Sequence, residues 1–110
     1  MSRHSAQTRY LGREVIVVAG YDRPLNELFL QVLGPENEPA PAEEYVLYSS
    51  IYEPNLDWTD INTVSDKLIE LGIVVPGSLL EAVYLDQLFH VGNLVARHHV
   101  DQPPQVLLVD

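Results

Sequence analysis

The sequence contains no cysteine and a single lysine, Lys67. Without cysteine there is no disulfide framework, no thiolate metal site and no cysteine nucleophile. Long apolar runs are also missing. The first, Val15 to Ala19, is five residues long, far short of the roughly 20 apolar residues that span a bilayer. The polar start, Met1-Ser2-Arg3-His4-Ser5, lacks the apolar core and small-residue cleavage site of a secretory signal. The expectation is a cytoplasmic domain with no membrane partner. Glycines are scattered singly, so no glycine-rich loop is available to cradle a phosphate.

Positive charge is scarce, and the net charge is −10. Residues 1–23 carry Arg3, Arg9, Arg13 and Arg23 against Glu14 and Asp22, a balance of +2; the rest carries Lys67 and Arg97 against fourteen acids, a balance of −12. Nucleic acid selects basic faces, because binding releases counterions from its phosphates. Direct nucleic-acid binding is therefore not expected. An acidic span of this size can instead imitate a phosphate array, which makes a nucleic-acid-mimicking inhibitor one alternative.

What the chain does hold is enough for one domain. Its 110 residues, 46% of them apolar, bury roughly two-thirds of the unfolded surface and need no staple. Residues 1–8 read as a frayed end. The β-branched run Val15-Ile16-Val17-Val18 predicts a central strand, with apolar residues at both parities. Pro24 interrupts, and Glu27 to Leu33 predicts a second strand, antiparallel to the first. Residues 34–43 form a proline-rich acidic loop. Glu44 to Tyr52 predicts a third strand, ended by Pro54.

Helix signals follow. Ile61, Val64, Leu68 and Leu71 form one helical stripe, Asp60 or Thr63 can cap it, and Gly72 suits the left-handed end. Ser78-Leu79-Leu80-Glu81 matches a capping box at the start of a second helix. Leu94 to Val100 reads as a strand or a continued helix, and Gln105 to Val109 as an edge strand. The expected fold class is α+β: a three-stranded antiparallel meander, two helices, then one or two short C-terminal strands.

No catalytic motif stands out, so no catalytic residue is assigned, and no cofactor or metal is implied. Ser49, Ser50 and Ser78 lie outside any Gly-x-Ser-x-Gly elbow, and Ser78 reads as a helix cap. Asp86 and His90 share a helix face, and His98 follows; together they form the site of an alternative reading, a small-ligand or metal-dependent enzyme domain. His98 and His99, adjacent on a strand, point to opposite faces and cannot chelate one ion together. Tyr48, Tyr52 and Trp58 cluster within eleven residues, with Asp57 and Asp60 as a charged rim. Aromatics with a polar tip favour recognition surfaces. The leading expectation is a non-enzymatic interaction or regulatory module with a protein partner. Self-association is a second form of it, because the apolar tail Val106 to Val109 can extend a sheet.

Overall fold

A computed structural model describes residues 1–34 and 46–109. The elements are β1 (Ser2–Tyr10), β2 (Arg13–Asp22), β3 (Glu27–Leu33), β4 (Val46–Ser49), a 3₁₀ turn (Ser50–Tyr52), α1 (Ile61–Leu71), α2 (Gly77–Leu88), β5 (Leu94–His99) and β6 (Gln102–Val109). The strands form one sheet in the order β4-β3-β2-β1-β5-β6. Every pairing is antiparallel except β1 with β5. The fold is α+β, with a six-stranded mixed sheet and two helices. Among the described residues no helix is long and apolar enough to cross a membrane.

β2, β3 and β4 form the expected meander. The third strand is shorter than expected, because the chain turns into the 3₁₀ segment at Ser50. Its expected start, Glu44 and Tyr45, and all of the proline-rich loop except Gly34 lie outside the described residues. The largest correction concerns residues 1–8, expected to fray. They form most of β1, which sits between β2 and β5 near the middle of the sheet. Its inward positions are Ser2, His4 and Ala6, all buried. These small or polar residues give no apolar alternation, which is the usual sign of a strand.

Local chemistry explains the turns. Leu11 and Gly12 both have positive φ, 53° and 77°, as a two-residue type I′ hairpin between β1 and β2 requires. Gly20 meets a different demand. A Cβ there would lie 1.9 Å from the Ser2 carbonyl oxygen and 2.8 Å from the Phe29 ring, so only glycine lets β1 approach β2 at that point.

α1 matches its expected bounds. Asp60 accepts a hydrogen bond from the Asn62 N–H, and Gly72 takes the left-handed conformation, φ 73°. The Gly72 N–H donates to the Ile69 carbonyl and the Ile73 N–H to the Leu68 carbonyl; this is a Schellman end. α2 begins differently from expectation. Its cap is Pro76, with no side-chain cap bond, and Ser78 lies inside the first turn. The predicted capping box is not formed, because the Ser78 hydroxyl is bonded to the sheet instead.

The core follows from alternation. Val15, Val17, Ala19 and Tyr21 of β2 and Leu28, Leu30 and Val32 of β3 point towards the helices. They pack with Val64 and Leu68 of α1 and Leu79 and Val83 of α2. α2 lies over β1 and β2, and α1 over β3. Among the described residues the opposite sheet face carries no helix, and β6 ends the sheet as an exposed strand.

Candidate functional site

Four polar side chains meet where α2 crosses β1 and β5. Ala6 pairs with His98 across the parallel strands, so the inward position of β5 brings His98 beside His4 of β1. Ser78 and Asp86, two helical turns apart on α2, face down onto them. The Ser78 Oγ lies 2.8 Å from His98 Nδ1, His98 Nε2 lies 2.8 Å from His4 Nδ1, and His4 Nε2 lies 2.5 Å from Asp86 Oδ2. His4, His98 and Asp86 are buried, and Ser78 is half-buried.

With Asp86 ionised and both imidazoles neutral, valence sets the direction of this chain. An ionised carboxylate only accepts, so His4 Nε2 carries the proton it gives to Asp86. In a neutral imidazole the other nitrogen is then bare, so His4 Nδ1 accepts from His98 Nε2–H. That leaves His98 Nδ1 bare, and it accepts the Ser78 hydroxyl proton. Each group is satisfied once, and the sequence Ser78, His98, His4, Asp86 runs one way. His98 itself is held neutral. Burial, then the neighbouring His4 and His99, push its pKa down to about 4, against an opposing pull from Asp86.

The surroundings of Ser78 suit a reacting group. No side chain caps α2; of its first-turn N–H groups, that of Leu79 donates to the Pro76 carbonyl. A Cβ on Gly77 would meet no atom within 4 Å, so there is open space next to Ser78. A groove of about 860 Å³ on the other face of the sheet touches Pro76 and His98, and Ser78 does not line it. No family model, curated protein or solved structure matches this chain. Its chemistry therefore has to be read from the residues themselves.

The expected ligand site is partly assembled. Asp86 and His98 belong to one chain, with His4 as the link that the sequence reading did not include. His90 stands apart. α2 ends at Leu88, and His90 has φ 51°, so it lies outside the helix. Its Nδ1 instead lies 3.0 Å from the Tyr21 hydroxyl, which donates to Asn26 Oδ1. His98 is buried facing the helices, and His99 lines the groove, the opposite-face arrangement that adjacent strand positions impose. Among the described residues no group of three or more His, Asp or Glu side chains is placed to hold a metal ion.

The aromatic cluster is built into the fold. Trp58 is buried and its Nε1–H donates to the Glu53 carbonyl. Tyr48 is half-buried and donates to Glu53 Oε1. Burial and that carboxylate push its pKa up to about 12. Lys67 pairs with Glu53 at 2.8 Å and Glu70 at 2.6 Å, and its ammonium stands over the Tyr48 ring. Its pKa is raised, first by the Glu53 and then by the Glu70 hydrogen bond. Asp57 accepts from Thr59, which lowers its pKa, and Asp60 caps α1. Only Tyr52, packed edge-on against Tyr48, presents most of its ring to solvent.

Proposed function

We propose that this domain carries a serine-based acyl-transfer site, with ester hydrolysis as its simplest reaction. The observation that supports it is the one-way chain from the Ser78 hydroxyl through His98 and His4 to Asp86. A hydroxyl becomes a useful nucleophile when an oriented base takes its proton as it attacks. Here Ser78 Oγ attacks the ester carbonyl carbon while its proton passes to His98 Nδ1. The resulting imidazolium donates through Nε2–H to His4, which Asp86 holds in the accepting tautomer. The Gly77 and Ser78 N–H groups at the start of α2 are the donors for the developing oxyanion. His98 then returns the proton to the departing alkoxide, leaving an acyl ester on Ser78. Water, with His98 as base again, releases the acid and restores the hydroxyl.

The test is labelling with a fluorophosphonate probe and turnover of p-nitrophenyl acetate. The wild type should be labelled at Ser78. Ser78→Ala should abolish labelling, and His98→Gln should slow turnover by roughly 10²–10⁴-fold, the range of general-base contributions. Labelling that persists undiminished in Ser78→Ala, or none in the wild type, overturns the reading. In that case the chain serves only to tie α2 to the sheet.

A second reading, interaction with another copy of the chain, is favoured by β6. All eight of its residues are exposed, none is charged, and Val106 to Val109 are apolar. Such an edge is a template for another strand. Pro103 and Pro104 block pairing at one end and leave Gln105 to Val109 available. The choice of a second copy rests on charge. β1, β5 and β6 carry Arg3, Arg9 and Arg97 and no carboxylate, so two molecules of an acidic protein meet there with least repulsion. Leu85 of α2 and Phe89, just past its end, are further exposed apolar residues. Sedimentation should show a two-fold dimer. A monomer at several hundred micromolar would remove this reading.

A further inference from the structure

The open face of the sheet carries a second constellation. Alternation puts Arg3 on β1 and Arg97 on β5 on the side turned away from the helices. Arg3 pairs in register with Val95, and Ser5 with Arg97, so the two arginines are diagonal neighbours on adjacent strands. Gln7 follows Ser5 at the next outward position of β1, and His99 follows Arg97 on β5. The groove of about 860 Å³ runs over this surface and is lined by Arg3, Arg97 and His99, with Ile16, Val18 and Val95 among its apolar walls. Its size lies within the range of small-molecule pockets.

Charge makes this groove unusual in this molecule. The whole chain has six Lys and Arg residues against sixteen acids. Two of the six line the groove, and no described carboxylate does. Neither arginine has a salt-bridge partner among the described residues. Like charges side by side on neighbouring strands destabilise a sheet. An anion between them reverses the sign of that interaction, and guanidinium groups bind carboxylates and phosphates in a bidentate manner.

We infer that this groove is a binding site for an anionic group borne on a short apolar chain, with Arg3 and Arg97 clamping the anion and Ile16, Val18 and Val95 receiving the chain. The site does not depend on the reactivity of Ser78. Ser78, His4 and Asp86 do not line the groove, so binding there and reactivity at Ser78 are separate properties.

The experiment uses the Ser78→Ala protein, so that binding is read without turnover. Hexanoate, hexyl phosphate and hexanol are titrated by calorimetry and by ¹⁵N–¹H chemical shifts. Hexanoate or hexyl phosphate, or both, should bind and shift the amides of β1 and β5, and the stronger of the two names the anion class. Hexanol should bind at least tenfold more weakly, and added salt should weaken the anions, because exposed charge pairs are screened. Arg3→Gln and Arg97→Gln should each lower affinity by roughly tenfold or more, as expected for a lost charge-assisted hydrogen bond. Both side chains are exposed, so these variants should melt at or above the wild-type temperature in anion-free buffer. Equal binding of hexanol, equal binding by the Arg3→Gln/Arg97→Gln double variant, or no shift at 10 mM ligand overturns the inference. Any of these outcomes leaves the labelling of Ser78 unaffected.

Discussion

His98 links two properties of the protein that are usually measured separately. Its neutral form is the one that accepts the Ser78 proton, and burial keeps that form down to about pH 4. Ester turnover should therefore rise through about pH 4 and stay level to neutrality. A base of ordinary histidine character would instead give a rise near 6.5. A pH–rate profile distinguishes the two. The same shift acts on stability. The unfolded histidine takes up a proton below about 6.5, while the folded one refuses it until about 4. Across that window the unfolded state binds more protons, so the contribution is present above 6.5 and is lost as pH falls towards 4. The melting temperature should fall between pH 6.5 and 4.5, less steeply in His98→Gln. Glu53 and Asp57, whose pKa values are lowered by hydrogen bonds, act only below that range.

The elements differ in how openly they declare themselves. α1 was legible down to its caps, because Asp60, the apolar stripe and Gly72 all act within one stretch of chain. Gly72→Ala should cost about 1 kcal/mol, since its φ of 73° strains any L side chain; chemical denaturation measures it. Leu11 offers the opposite case. It is exposed and holds φ 53° in the β1–β2 turn, where asparagine is the better residue. Leu11→Asn should raise stability by roughly 0.5 kcal/mol, judged by the scale of compatible turn substitutions. β1 and the start of α2 were not legible, and for the same reason. Ser2, His4 and Ser78 have their partners far along the chain: the Ser2 Oγ accepts from the Tyr21 N–H, His4 meets Asp86 and His98, and Ser78 meets His98. A polar residue whose partner is non-local looks like surface or cap. Nothing local to His4 points to Asp86 or His98, which are its partners. His4 was the histidine left unassigned.

For the whole molecule, the deciding feature is the unequal distribution of charge and cover over one sheet. The helices pack on one face of the sheet, over β1 to β3 and the inward residues of β5, while β6 extends beyond them. The outward arginines of β1 and β5, Arg3 and Arg97, therefore lie on the uncovered face of an otherwise acidic protein. If two copies join through β6, Leu108→Lys, which puts a charge on the edge, should yield a monomer by light scattering with little change in melting temperature. A dimer that persists in this variant would place the contact elsewhere. The aromatic residues near α1 belong to the opposite end of the sheet, where Trp58 and Tyr48 are committed to the core and to Glu53.

β1 is the only element that joins the meander to the β5–β6 hairpin within the sheet. Its pairing with β5 connects positions 92 apart in sequence, such as His4 and Ala96. Such contacts can form only after the ends of the chain have found one another, which slows folding. The acyl-transfer chain spans that same seam. Any intermediate with the meander and helices folded but the last hairpin undocked has Ser78 and Asp86 on the helix with no His98 beside them. Reactivity at Ser78 should thus appear in refolding only with the slowest phase, and a serine-directed probe would serve as a clock for closure of the sheet.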